Sequence, residues 1–97
     1  MLICENGCVE SEVGMKRSEY LRQHIREVQR TVRKGANVIG YICWTITSCR
    51  EWGLKFDSSN DFGLYRVDLD NDPRLTRVPT PAVAAYATII KNGGAEK

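Results

Sequence analysis

The chain has 97 residues, enough for one domain at most. Its share of hydrophobic residues (42%) and charged residues (27%) is ordinary for a globular protein. A formal net charge of +2 is too small to indicate a nucleic-acid or membrane partner by itself. No apolar run reaches the roughly 18 residues of a membrane span, and the N-terminus shows no pattern of a signal peptide.

The chain begins with a short strand and a helix. Residues 2–4 (Leu-Ile-Cys) are apolar and compatible with a strand, which we expect to stop at Glu5-Asn6-Gly7, since Asn-Gly is a turn signal. Residues 8–15 have no period and indicate a loop. Residues 16–34 have a helical pattern, with a cationic last turn and Gly35 as a stop. The apolar stripe of this helix is Leu21, Ile25, Val28 and Val32.

A second strand and a second helix follow. Residues 38–47 are β-branched, aromatic and almost continuously apolar, as in a parallel strand covered on both faces, so strand, helix and strand predict a βαβ unit. Beyond the irregular polar stretch 48–61, residues 64–69 predict a short extended segment closed by a turn at 70–73. Thr80 as cap and Pro81 as first residue open a helix that ends at Asn-Gly-Gly. Its predicted apolar stripe is Val83, Tyr86, Ala87 and Ile90.

The predicted two-stranded sheet has open outer edges. Such a sheet is not a stable domain, because an exposed edge recruits other strands. We therefore expect the chain to need either upstream sequence or a second copy, and the isolated chain to self-associate.

The cysteines do not form a metal-binding pattern. Cys4, Cys8, Cys43 and Cys49 are not spaced as two Cys-x-x-Cys pairs, and His24 is the one histidine. We therefore expect neither a metal nor another cofactor. Two of the four lie inside or beside apolar strand-like runs, which argues against a disulfide framework. Free, mostly buried thiols are typical of a reducing compartment, so the sequence favours a cytoplasmic location.

Two groups of residues carry chemistry at the predicted carboxyl ends of the strands, where parallel α/β folds bind ligands. Glu5 directly follows the first strand, and Trp44, Glu51 and Trp52 lie near and after the end of the second. Aromatic faces stack on the C–H patches of a sugar, and a carboxylate accepts hydrogen bonds from its hydroxyls. The simpler alternative makes Glu5 a solvated turn residue, Trp44 a core residue and Trp52 part of loop packing.

Together these groups resemble the family 1 glycoside hydrolases, the β-glucosidase and β-galactosidase type. The nucleophile segment (Ile/Val)-x-Glu-Asn-Gly of that family is followed there by Tyr-Leu-x-x-His, Gly-Tyr-x-x-Trp, Glu-Trp and Phe-Gly-Leu-x-x-Val-Asp. The matching segments of this chain are residues 3–7, 20–24, 40–44, 51–52 and 62–68. The resemblance covers residues 2 to about 90 and is highly specific, because so many motifs match in order.

The resemblance implies an α/β fold, the C-terminal quarter of a (β/α)8 TIM barrel with strands 7 and 8 and their helices. Residues 1–97 would then be a single partial domain. It implies retaining hydrolysis of a β-glucoside or β-galactoside, with Glu5 as the nucleophile. Glu51 would bind the 4- and 6-hydroxyls of the glycone, Trp52 would donate a hydrogen bond to it, and Trp44 would stack on it. Ser replaces Glu51 in 6-phospho-glycosidases, so an unphosphorylated sugar is implied.

Departures from the family leave the sugar, the aglycone, and hydrolysis or transglycosylation open. Residues 48–50 read Ser-Cys-Arg where most members read Asp-Asn-Phe, residues 53–61 also differ, and the loop before Arg17 is short. A retaining enzyme needs a second carboxyl about 5–5.5 Å from the nucleophile, and the family's Asn-Glu-Pro motif that supplies it does not occur here. Nothing in the sequence fixes the distance from Glu5 to the other nearby acids. These are Glu10, Glu12, Asp57 and Asp61.

Two rival hypotheses remain beside an enzyme that works as part of a full barrel. One is a truncated, catalytically inactive glycosidase. The other is a phosphate-binding module that uses a stripe of four helical arginines. Glu19 and Glu27 lie within pairing reach of this stripe, so a solvated outer helix face is the simpler interpretation. The stripe is Arg22, Arg26, Arg30 and Arg33.

Overall fold

A computed structural model describes residues 1–11, 14–53 and 55–95, without the side chain of Ser58. Two strands, β1 and β2, flank the long helix α1, and two very short strands, β3 and β4, precede the last helix α2. The elements are β1 Leu2–Asn6, α1 Arg17–Arg33, β2 Gly40–Cys43, a 3-10 turn Ser58–Asn60, β3 Tyr65–Arg66, β4 Val78–Pro79 and α2 Pro81–Asn92. No helix in these ranges is long and apolar enough to cross a membrane.

Strand β1 pairs in parallel with β2, as the predicted βαβ unit requires. The pairs Leu2↔Gly40 and Asn6↔Cys43 lie at the two ends of the ladder, with an irregular register between Ile3 and Asn6. The prediction that the strand stops before Glu5 is wrong. Pairing continues through Asn6, because the backbone oxygen of Asn6 accepts a hydrogen bond from Trp44 N at 2.9 Å. Glu5 is therefore part of the strand.

Strand β2 is shorter than the predicted run 38–47. After Trp44, whose N still bonds to Asn6 O, the chain leaves β1 and bonds to residues 62–65. Leu64 N donates to Thr45 O and Tyr65 N donates to Ile46 O, each at 2.8 Å. The prediction of two covered faces is also wrong for the described residues. Large aliphatic side chains of this run remain strongly exposed. They are Ile39 (76%), Ile42 (48%) and Ile46 (65%).

Helix α1 confirms the predicted bounds and most of the stripe. Leu21 is fully buried and Ile25 is 8% exposed, while Val28 is half-buried and Val32 is 42% exposed. The helix is amphipathic, so its burial rather than intrinsic propensity supplies most of its stability. On the outer face, the predicted pairing within the arginine stripe is present. Arg22 pairs with Glu19 at 3.7 Å and Arg30 pairs with Glu27 at 2.6 Å.

Helix α2 confirms its predicted ends and half of its predicted stripe: Val83 and Tyr86 are half-buried and pack against the core, whereas Ala87 and Ile90 are exposed. Thr80 precedes Pro81 at the start, and Gly93 (φ 72°) stops the helix in the left-handed conformation that favours glycine. The buried face consists of small residues and one isoleucine, which pack in the core with α1. They are Ala82, Ala85 and Ile89. Ile90 is 66% exposed.

All four cysteines are free thiols. Cys43 is buried in the core, Cys8 and Cys49 are half-buried, and Cys4 is exposed, so the prediction of mostly buried thiols is wrong. Burial raises the pKa of Cys43 to about 11, because the apolar surroundings disfavour the thiolate.

Candidate active site

A depression of about 310 Å³ lies where β1 ends. Its lining combines three of the four residues that the sequence predicts for the site with four neighbours. The predicted residues are Glu5, Trp44 and Glu51, and the neighbours are Asn6, Gly7, Tyr20 and Phe62. The parallel pairing of β1 with β2 produces this convergence, since the carboxyl ends of parallel strands meet at one edge of a sheet.

Gly7 allows the two strand ends to approach closely. A Cβ atom at this position would lie 1.7 Å from the carbonyl oxygen of Trp44 and 2.9 Å from its carbonyl carbon. No side chain fits there, so the backbone of Gly7 passes directly against the backbone of Trp44, in addition to forming a turn with Asn6. The same crossing fixes the base of the Trp44 side chain beside Glu5. The peptide bond between Trp44 and Thr45 is cis.

The wall behind Glu5 is built from tyrosines. The hydroxyl of Tyr41 donates to Asn6 Oδ1 at 2.6 Å, and burial raises the pKa of Tyr41. The ring of Tyr20 lines the depression and stacks on His24, with centroids 3.7 Å apart. The imidazole ring of His24 is also held against the backbone of its own helix, because its Nδ1 lies 2.9 Å from Tyr20 O. The Tyr-Leu-x-x-His motif therefore supports the wall of the site.

The carboxylate of Glu5 is exposed, and among the described residues it has no hydrogen-bond or ion-pair partner. By contrast, the carboxylate of Glu51 is held by its neighbours. Trp44 Nε1 donates to Glu51 Oε1 at 3.0 Å, and the thiol of Cys49 donates to the same oxygen at 3.4 Å. Trp44 remains 36% exposed. The arrangement offers one free carboxylate, one fixed carboxylate and an accessible indole around a single depression.

Trp52 is not part of this lining. Its side chain is 98% exposed, and its backbone has a positive φ of 43°, followed by Gly53 with φ 80°. This left-handed turn immediately follows Glu51, so the two residues of the Glu-Trp motif have different surroundings. The sequence predicted both residues at one site, whereas the folded chain brings only Glu51 to the depression.

None of the described candidate acids lines the depression with Glu5, and Glu12 lies outside the described residues. Glu10 accepts a hydrogen bond from the backbone N of Arg17 at 2.7 Å. Asp57 is exposed and accepts from Ser59 N at 2.6 Å, a hydrogen bond that lowers the pKa of Asp57 together with one from the Ser59 hydroxyl.

Asp61 has a structural role. It is 9% exposed, and its two carboxylate oxygens accept hydrogen bonds from Ser48 Oγ at 3.0 Å and from Gly63 N at 2.9 Å. The Ser48 hydroxyl in turn accepts from Val67 N at 3.0 Å. This network fixes the segment that leads into Cys49 and Glu51.

Arg17 is a residue that the sequence interpretation missed. It is only 4% exposed, and its guanidinium donates to the backbone oxygens of Cys8 (3.0 Å), Asp61 (2.7 Å) and Gly63. It thereby joins the loop after β1 to the loop that carries Phe62. A signal was present in the sequence: Arg17 precedes Leu21 by four residues and so lies on the apolar stripe of α1.

Comparison with known proteins gives consistent matches. The profile described as Glycosyl hydrolase family 1 matches residues 1–95. Cytosolic beta-glucosidase of Homo sapiens is 34% identical over 97% of this chain, and beta-galactosidase of Saccharolobus solfataricus is 33% identical over 96% of it. The cyanidin 3-O-glucoside 5-O-glucosyltransferase (acyl-glucose) of Dianthus caryophyllus is 44% identical over 77% of the chain.

The structural comparison agrees. The β-glucosidase of Thermotoga maritima, solved in complex with noeuromycin, superposes with a TM-score of 0.76 and 29% identity over 98% of this chain. The chain spans 22% of that structure, and 20%, 18% and 14% of the human, archaeal and carnation relatives. The described βαβ unit thus corresponds to part of an α/β barrel.

Proposed function

Because this chain belongs to glycosyl hydrolase family 1, we propose that it supplies the nucleophile and the glycone-binding residues of a retaining β-glycosidase, as part of a full barrel. The observation that carries the proposal is the convergence of Glu5, Trp44 and Glu51 on one depression. A free carboxylate beside a sugar-sized, aromatic-lined site is what nucleophilic attack on an anomeric carbon needs.

In the proposed reaction, one oxygen of Glu5 attacks the anomeric carbon while the bond to the aglycone oxygen breaks and that oxygen takes a proton from a separate acid. Water then attacks the same carbon, releasing Glu5 and the sugar. Glu51 accepts hydrogen bonds from glycone hydroxyls and Trp44 stacks on the ring. We assign Trp52 as a glycone hydrogen-bond donor on its match to the Glu-Trp motif, although it is exposed in the isolated chain.

We further propose that β1 and β2 are strands 7 and 8 of the barrel, at its C-terminal end, and that residues 1–97 are one partial domain. The order of nucleophile strand, long helix and Trp44 strand supports this assignment. The exposed Ile42 of β2 supports it too, because a closed barrel fills its interior with such side chains. The proposed substrate class is an unphosphorylated β-glucoside or β-galactoside, since residue 51 is a glutamate and not the serine of 6-phospho-glycosidases. The proposed location is cytoplasmic.

Glu51 is assigned to the glycone, and Glu10, Asp57 and Asp61 do not line the depression. We propose that the acid/base carboxyl comes from the other strands of the barrel, so the isolated chain should be inactive. To test this, the chain is produced alone and together with a polypeptide that supplies the remaining strands of a family 1 β-glucosidase. Hydrolysis of aryl β-glucosides and β-galactosides should require both parts. Glu5→Ala should lower turnover roughly a thousandfold or more, and azide should restore part of it by replacing the missing nucleophile.

Glu19→Ala is the matched control, because Glu19 pairs with Arg22 on the outer face of α1. It should leave turnover within about twofold of the unmodified complex. Turnover that survives Glu5→Ala would refute the nucleophile assignment. Hydrolysis by the isolated chain would refute the requirement for the other strands.

A second candidate function is transfer of the sugar to an acceptor other than water, since the carnation relative is named a glucosyltransferase. Transfer and hydrolysis share the covalent step on Glu5 and differ in which nucleophile completes the reaction. Product analysis of the two-part complex with an added alcohol acceptor separates them. Free sugar alone would favour hydrolysis, and a new glycoside in its place would favour transfer.

We also propose that the isolated chain self-associates through the open edges of its two-stranded sheet and the exposed aliphatic side chains along β2. Ile42 is 48% exposed on β2, and Ile39 (76%) and Ile46 (65%), which flank the strand in the chain, are more exposed still. An exposed aliphatic patch of this kind marks an interaction or aggregation surface. Sedimentation should show concentration-dependent association, which Ile42→Lys should weaken. A monomer at every concentration would contradict this proposal.

A further inference from the structure

The carboxylate of Glu51 has two unequal oxygens. Oε1 accepts hydrogen bonds from Trp44 Nε1 at 3.0 Å and from Cys49 Sγ at 3.4 Å. Each carboxylate oxygen has about two lone-pair sites, so these donors occupy those of Oε1. Within residues 1–11, 14–53 and 55–95, Oε2 has no hydrogen-bond partner. One oxygen is held by the protein, and the other is available at the depression.

We propose that Cys49 is a positioning residue, which together with Trp44 fixes the Glu51 carboxylate so that Oε2 is presented to the ligand. A single donor would leave the carboxylate free to pivot about that contact. Two donors that converge on one oxygen from different side chains restrict this rotation. The positioning follows from the contacts alone, whereas its consequence for a sugar rests on the proposed function.

The two donors are themselves held at separate points of the fold. Trp44 is fixed where its backbone crosses Gly7, at a spacing that excludes a Cβ atom. Cys49 directly follows the buried Ser48, whose hydroxyl bonds to both Asp61 and Val67 N. The carboxylate of Glu51 is therefore held between two independently anchored segments, a requirement for precise placement of a binding group.

The thiol is suited to donate at neutral pH. Partial burial raises the pKa of Cys49, and the hydrogen bond to Glu51 and its negative charge add to this effect. The sulfur therefore keeps its proton, in contrast to the thiolate of a reactive cysteine. A sugar hydroxyl can donate to Oε2 without displacing a protein group. A second hydroxyl that reaches Oε1 must displace the thiol, which is the weaker of its two donors.

The test is the exchange of the Trp44 indole N–H with water, measured by NMR on the 97-residue chain. Cys49→Ala should increase this exchange roughly three- to tenfold, because the loss of one donor loosens the carboxylate that accepts from the indole. Cys49→Ser should restore it, since a hydroxyl can donate in place of the thiol. The fully exposed Trp52 indole is an internal reference that should not change.

Cys8→Ala is the matched control, because Cys8 is half-buried like Cys49 but is not hydrogen-bonded to Glu51, and it should leave Trp44 exchange unchanged. Equal exchange in the unmodified chain and in Cys49→Ala would overturn the proposal, and so would Cys49→Ser behaving like Cys49→Ala. The amide spectrum of Cys49→Ser separates local loosening from unfolding. The measurement needs no sugar, so a failure of the proposed glycosidase function would leave its result unaffected.

Discussion

Replacing Gly7 by alanine tests whether the close crossing at Trp44 builds the site. The new methyl group would lie 1.7 Å from the Trp44 carbonyl oxygen, so this backbone must retreat by roughly 1.5 Å to reach van der Waals distance. Such overpacking costs about 1–3 kcal/mol. The shift also threatens the hydrogen bond from Trp44 N to Asn6 O, measured at 2.9 Å and worth about 1 kcal/mol. We expect a loss of roughly 2–4 kcal/mol of unfolding free energy.

Urea and thermal unfolding followed by circular dichroism measure this loss, which corresponds to a fall in Tm of roughly 10–25 °C. The matched control is Gly40→Ala in the paired strand. Its Cβ would meet only the Leu2 Cδ1 methyl at 2.8 Å, and a side-chain end can turn away at a cost below about 1 kcal/mol. The Trp44 indole resonance should move in Gly7→Ala and not in Gly40→Ala. Equal stability of the two variants would refute the reasoning.

Three further predictions concern the core and its pH dependence. Arg17→Met should cost roughly 2–4 kcal/mol in urea unfolding, because three carbonyls lose a buried donor, whereas Arg22→Met, on the exposed face, should stay within about 0.5 kcal/mol. Leu21→Ala should cost about 2–5 kcal/mol, since Leu21 is 0% exposed. The unfolded Cys43 thiol ionises near its ordinary pKa of 9.0 and the folded one near 11, so the contribution of Cys43 to stability should be full below pH 9 and fall by about 2 kcal/mol as the pH rises to 11. Unfolding measured across this range should show a shallower decline in Cys43→Ala, and the decline should be unchanged in the exposed Cys4→Ala.

The sequence was sufficient for features with a local cause. The bounds of α1 follow from its period and from Gly35 as a stop, and those of α2 from Pro81 and Gly93. The convergence of Glu5 with Trp44 follows from topology, since parallel strands that share a crossover helix must end at the same edge.

Features with a non-local cause could not be predicted from the sequence. Strand β2 ends at Cys43 because the backbone groups of Thr45 and Ile46 form hydrogen bonds with residues 62–65. No periodicity in the sequence predicts this pairing. The stripe of α2 was assigned to its larger side chains, whereas close packing selected the small Ala82 and Ala85. Arg17 received no role from the sequence, yet three backbone carbonyl oxygens accept hydrogen bonds from its guanidinium. The shared oxygen of Glu51 depends on the bend after Trp44, which places Cys49 beside it.

The exposed sheet face and the unpaired Glu5 can be explained by one proposed arrangement. A retaining mechanism needs a second carboxyl about 5–5.5 Å from the nucleophile. The other acid among the described residues that lines the depression, Glu51, is held by Trp44 and Cys49 and is assigned to the glycone. The aliphatic side chains at Ile39, Ile42 and Ile46 in turn need an apolar cover. In a closed barrel the same additional strands and their helices would meet both needs, since the barrel interior and the surrounding helices would cover the isoleucines and the strand ends would carry catalytic groups. Stability and activity should therefore be gained together when those strands are supplied.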